Sequence, residues 1–250
     1  MKGKESTTSN ADGLAAIGAL AERTRRAVYD FVAGSADWVS RDEVAEATRL
    51  ERGTASHHLE RLIKDGLLKA DYRRLGGRTG RGAGRPAKLY RRADRDISVS
   101  LPQREYELAG RLLAAAADRS RVDGVDITTA LAEVAGDAGR RIADDIAVRH
   151  PLRAGDDAIM EALAEHGFEP RREEGGMVVL SNCPFHKLAQ EHPELICGMN
   201  LCLLSAAVEG IDESGLVAKF DPRLGRCCVT LGQQGDEPPK AESARSMGDG

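Results

Sequence analysis

Five cysteines, Cys183, Cys197, Cys202, Cys227 and Cys228, fall in the last third of this 250-residue chain, and none precedes position 183. Thiols offer metal or cluster ligation, reversible disulfide exchange or nucleophilic catalysis. A free cysteine can also be an ordinary small buried residue, and Cys202, inside the apolar stretch 199–204, fits that description. Cys183 follows Ser181-Asn182 and precedes Pro184, where a predicted strand gives way to a helix. A helix N-terminus there would favour its thiolate. Cys197 lies on the next predicted helix, and Cys202, five residues on, points about 140° away from it. Cys227 and Cys228 open a predicted strand, on which neighbours face opposite ways. One of the two, with Cys227 favoured, is expected to meet Cys183 and Cys197.

The paired Cys-x-x-Cys knuckles of a structural zinc site are absent, which counts against zinc and leaves it the alternative cofactor. Thiolates from separate elements suit an iron–sulfur cluster. Cys228, His186, His192 or an external molecule would complete the set, and a reversible disulfide is the other chemical route. Catalysis is not expected: Cys183 and His186 are three apart, but no orienting Asn or Asp motif accompanies them.

A second constellation precedes the cysteines. The net charge is only -4, yet 69–95 carries ten Lys/Arg against Asp71 and Asp94, so this segment is +8 and the rest of the chain -12. Such asymmetry predicts an anion-binding patch. Immediately before it, Thr54-Ala-Ser-His-His-Leu-Glu-Arg-Leu places Thr54, Ser56, His57, His58 and Arg61 near the exposed start of a helix, with Arg52 just ahead. Helices present such N-terminal side chains to base edges in the major groove. Arg78, Arg81, Arg85 and Lys88 are expected to add phosphate or minor-groove contacts. His57 and His58 diverge by about 100° on a helix and cannot easily share one ion.

The elements that must position these residues follow from periodicity. Residues 1–12 read as a disordered N-terminus, and Leu14, Ile17, Leu20, Val28, Phe31 and Val32 predict one helix ending near Gly34. Ser40 with Glu43 forms a capping box for a short helix through Ala47. After a tight turn comes a helix over 54–65, closed by Gly66. Strands at 67–72 and 87–90 flank a Gly- and Arg-rich loop, a wing behind a helix-turn-helix. The boundaries drawn are a winged helix-turn-helix domain at 13–97, a helical linker or dimerisation region at 98–150, a small α+β sensor domain at 151–231 and a disordered tail at 232–250. Aromatic content is only 4%, so the α+β fold must be built on Ala, Leu and Val. No apolar run approaches the roughly 18–20 residues of a membrane span, and the polar start lacks a secretory signal. A cytoplasmic protein is expected.

On Leu20-Ala-Glu-Arg-Thr-Arg-Arg, the 54–62 segment, Gly66-Leu-Leu and Gly84-Arg-Pro-Ala-Lys-Leu-Tyr, residues 14–95 resemble the ArsR-type winged-helix regulators. That resemblance implies a homodimer on double-stranded DNA with a two-fold symmetric operator. Asn182-Cys-Pro-Phe, Pro193-Glu-Leu-Ile-Cys and Arg226-Cys-Cys-Val-Thr-Leu make the C-terminal half similar to the SufR-type iron–sulfur regulators. The likeness implies a cluster-bearing repressor of iron–sulfur assembly genes, relieved when the cluster is lost. Cys183, Cys197 and Cys227 match its ligands best, while the Cys227–Cys228 doublet and Cys202 depart from the simple pattern.

Overall fold

The computed structural model describes residues 10–73, 86–149, 156–173, 175–211, 215–233 and 235. Helices and antiparallel sheets divide between two units, 1–100 and 101–250.

In the first unit, the single helix expected to end near Gly34 is two. α1 (Asn10–Ala19) begins inside the segment expected to be disordered, and α2 (Arg23–Gly34) restarts after Glu22. The Glu22 carboxylate accepts from the Thr24 and Arg25 amides at 2.7 and 2.8 Å. A side chain that satisfies the open amides of a first turn starts a new helix there, so the chain turns. β1 (Val39–Ser40) leads into α3 (Arg41–Thr48), whose expected capping box is present: Ser40 N donates to Glu43 Oε2 at 2.6 Å and Glu43 N to Ser40 Oγ at 3.3 Å.

Arg49, at φ 55°, ends α3, and α4 (Arg52–Lys64) follows after two residues. Ala55, Leu59 and Leu62 of α4 are buried in one cluster with Val28 and Val32 of α2 and Val44 of α3. Each such Leu or Val contributes about 1.5–3 kcal/mol through burial. Gly66 then turns the chain at φ 69°, where a Cβ would stand 2.8 Å from the Arg95 guanidinium. β2 (Leu68–Arg73) and β3 (Ala87–Arg92) pair without a slip from Leu68↔Arg92 to Arg73↔Ala87, and the sheet order is β1-β3-β2.

The second unit begins with α5 (Tyr106–Asp123) and α6 (Ile127–Arg149). α7 (Asp156–Glu165), β4 (Pro170–Arg172), β5 (Val178–Leu180), α8 (His186–Glu191), α9 (Pro193–Glu209), β6 (Leu216–Phe220) and β7 (Val229–Gln233) follow. The sheet order is β4-β5-β7-β6, antiparallel throughout. Leu112 and Ala116 of α5 and Leu131, Ala135 and Ala138 of α6 are buried in one core with Val178, Leu180, Val229 and Leu231 of the sheet. The helices expected to form a separate linker are therefore built into this unit's core.

α6 meets α9 at backbone distance. A Cβ on Gly139 would clash with the Leu203 carbonyl oxygen and lie 2.9 Å from the Ala207 nitrogen. Only glycine permits that approach. It seats α9, the helix that carries Cys197 and Asn200. Among the described residues, no helix is long and apolar enough to cross a membrane.

Candidate functional site

On the first unit, Arg52, Thr54, His57 and Arg61 are exposed along α4, and Ser56 is half-buried. His58 is not exposed as expected. Its side chain is 12% accessible and turns toward the start of α2, with Nδ1 3.7 Å from Glu22 Oε2, too long for a hydrogen bond. Burial lowers its pKa from the ordinary 6.5; the Glu22 charge opposes that shift, while Arg25 and His57 add to it. One residue of helix rotation leaves the His57 ring exposed and the His58 ring half-buried, the two meeting edge to face with centroids 5.6 Å apart.

The cations here already have anionic partners. Arg52 Nη2 meets Asp42 Oδ2 at 2.6 Å, Arg61 Nε meets Asp65 Oδ2 at 2.9 Å, and Lys88 Nζ on β3 meets Glu60 Oε1 on α4 at 2.5 Å. Exposed pairs of this kind hold weakly, so phosphates can displace the carboxylates. Arg78, Arg81 and Arg85 lie outside the described residues.

Trp38, the sole tryptophan, was passed over in the sequence. The Arg73 guanidinium stands 4.6 Å over its ring and Lys69 Nζ 5.8 Å away, a cation–π stack at the base of the hairpin. Distance in sequence hid it, because only strand pairing brings 38, 69 and 73 together.

In the second unit, four of the five thiols meet. Cys183 interacts with Cys227, Cys227 with Cys228, and Cys228 with Cys197, a chain that joins the β5–α8 connection, the turn before β7, and α9. All four residues are buried, and none is in a disulfide. Cys202 is half-buried, and burial alone raises its pKa. Its divergence from Cys197 follows from helix geometry.

The doublet behaves differently from the expected alternation. β7 begins at Val229 rather than Arg226, so Cys227 and Cys228 lie in the turn before it and both thiols join the chain. That turn is fixed at both ends. Cys227 N donates to Leu180 O at 2.9 Å, Asp221 N donates to Cys228 O at 2.8 Å, and the Asp221 carboxylate takes Arg223 and Arg226.

The Cys183, Cys197 and Cys227 thiols are held protonated. Cys183 is not favoured as a thiolate: its contact with Cys227 and its burial drive its pKa well above the ordinary range, outweighing the Phe185 backbone amide and the nearby Arg104 charge. Contact with Cys183 lowers the Cys227 pKa, but contact with Cys228 and burial push it up to about 12. Burial raises Cys197, against a lowering contact from Cys228. A contact missed in the sequence completes this neighbourhood: Asn200 Nδ2 donates to Cys227 Sγ at 3.2 Å. The signal was available, since Asn200 is the one carboxamide on the apolar α9, and a buried polar residue is the informative exception.

Arg104 Nη1 donates to the Cys183 carbonyl at 2.8 Å and to Asn182 Oδ1, while Asn182 Nδ2 donates to Gln103 O at 3.1 Å. These bonds anchor the loop that carries Cys183. His186 and His192, the alternative fourth ligands, are exposed on α8 and beside it. Among the described residues, no three His, Cys, Asp or Glu side chains form a ready cage for a single metal ion. The sulfurs bond to one another instead, and a metal would have to displace their protons. In comparisons with known proteins, no family model, no curated protein and no solved structure matches the chain.

Proposed function

We propose that the chain is a winged helix-turn-helix transcription regulator, acting as a homodimeric repressor on double-stranded DNA, whose second unit carries an iron–sulfur cluster on Cys183, Cys197, Cys227 and Cys228. The observation that carries the cluster reading is the four-thiol chain drawn from three separate elements. The donor set is sulfur alone, which fits iron–sulfur ligation better than a mixed nitrogen and oxygen site. A bound cluster would supply a one-electron redox centre.

The DNA reading rests on the succession of α3, the three-residue turn 49–51, α4 and the β2–β3 hairpin, with Arg52, Thr54, His57 and Arg61 on the open side of α4. Zinc on the same thiols is the second reading, because four thiolates also suit a tetrahedral zinc site.

Full-length protein purified without oxygen tests both units. Visible absorbance with matched iron and acid-labile sulfide supports the cluster; zinc in their place selects the second reading; colourless, metal-free protein after reconstitution with iron and sulfide rejects both. Selection from random duplex DNA should return a two-fold symmetric site. Arg81→Ala with Arg85→Ala should lower the salt slope of binding by about 0.9 per lost phosphate contact. No enrichment of any sequence would end the regulator reading.

A further inference from the structure

Asn200 lies on α9 three residues after Cys197, is 1% exposed, and directs Nδ2 onto Cys227 Sγ at 3.2 Å. Its Oδ1 is buried without a hydrogen-bond partner among the described residues. A carboxamide so placed loses water on both sides and recovers one bond. Leucine or methionine would fill the same space at no such cost, since Ile196, Met199, Leu203 and Leu204 of the same helix are all buried. Packing therefore gives no reason for an amide here; the sulfur contact does.

Cys227 Sγ is also where other donors converge. The Cys183 thiol and the Val229 backbone amide both hydrogen-bond to it. Nδ2 is the Asn200 atom that faces the sulfur, while Oδ1 is turned to a buried position without a partner among the described residues.

We infer that Asn200 is a positioning residue of the thiol site, holding the Cys227 sulfur through an N–H donor that stabilises added negative charge on it. The inference rests on the cysteine site proposed above, but not on which metal occupies it. Hydrogen bonds to ligand sulfurs set cluster reduction potentials, and groups that hold ligands from outside commonly govern metal affinity.

The test uses full-length protein prepared without oxygen, as wild type, Asn200→Leu, Asn200→Ala and, as a control on the same helix, Cys202→Ala. With a cluster bound, Asn200→Leu should keep the wild-type circular dichroism and shift the midpoint potential negative, while Cys202→Ala leaves it unchanged. A wild-type potential in folded Asn200→Leu overturns the inference. So does a shift of equal size in Cys202→Ala.

Wild-type protein without iron or sulfide would reject the cluster reading but not this one. Cobalt(II), titrated into the same proteins and followed by its thiolate charge-transfer absorption, then decides. Asn200→Leu should bind cobalt about 10- to 100-fold more weakly. Equal affinity, or no thiolate–cobalt band in the wild type, overturns the inference. If Asn200→Leu does not fold, Asn200→Ala replaces it; loss of fold in both assigns Asn200 to the core and also overturns it.

Discussion

Lys88 on β3 and Glu60 on α4 meet at 2.5 Å, tying the hairpin to the helix at the surface expected to face DNA. The Tyr90 hydroxyl reaches the same carboxylate oxygen at 3.5 Å. On the proposed DNA-binding reading, Glu60 competes with phosphate for the Lys88 ammonium. Glu60→Gln should cost about 0.2–1 kcal/mol of stability, the range of an exposed pair, while tightening DNA binding at low salt. Denaturant unfolding and binding isotherms at several salt concentrations measure the two effects. Weaker DNA binding would show that Glu60 aids binding rather than competing for Lys88.

Ser40→Ala removes one half of the α3 capping box. The expected loss is about 0.5–2 kcal/mol, seen as a lower unfolding midpoint. Because α3 packs beneath α4, DNA affinity should fall with it. Restoration by Ser40→Asp, which also caps, distinguishes the cap from a direct DNA contact.

His58 supplies a pH dependence whose sign is defined. Burial lowers its pKa in the folded state below the ordinary 6.5, so the unfolded chain binds the proton more readily. Its contribution to stability is present above 6.5 and is lost as pH falls from there through the lowered folded value. Stability profiles of wild type and His58→Gln should converge toward acid pH. Parallel profiles across that window would mean that His58 does not titrate differently on folding.

Gly139→Ala places a methyl group against the Leu203 carbonyl, at the α6–α9 crossing. Overpacking of this kind costs about 1–3 kcal/mol, occasionally more. Thermal unfolding should show the loss. Gly110→Ala on α5, where a Cβ meets nothing within 4 Å, should be neutral or slightly stabilising.

Single changes to serine at Cys183, Cys197, Cys227 and Cys228 should each reduce the iron and sulfide retained, whereas Cys202→Ser should retain wild-type amounts. Metal assay on protein prepared without oxygen reads both. Full retention in Cys228→Ser would confine the ligand set to the other three thiols. Loss in Cys202→Ser would contradict its separation from the chain.

The local signals in the sequence were reliable where chemistry and neighbour spacing sufficed. Ser40 with Glu43, Gly66 after α4 and the two strands of the hairpin all involve residues within a few positions or a single element. Glu22 was misread because a glutamate N-cap interrupts an apolar period that otherwise runs on. His58 was misread because two adjacent polar residues look alike until α2 is packed beside one of them.

The sequence by itself determined that the thiols belong to the C-terminal half, that Cys202 diverges from Cys197, and that a basic hairpin follows a short helix pair. Those properties are set by composition and by helical or strand repeat. Only the tertiary structure decided that Cys227 and Cys228 both join Cys183 and Cys197, and that Asn200 attends them. Strand alternation separates neighbours only where a strand exists, and the Asp221 and Leu180 contacts hold these two residues in a turn instead. The meeting of α9, the β5–α8 connection and that turn depends on the close approach at Gly139 and the pairing of β5 with β7. No local pattern encodes contacts between elements so far apart along the chain.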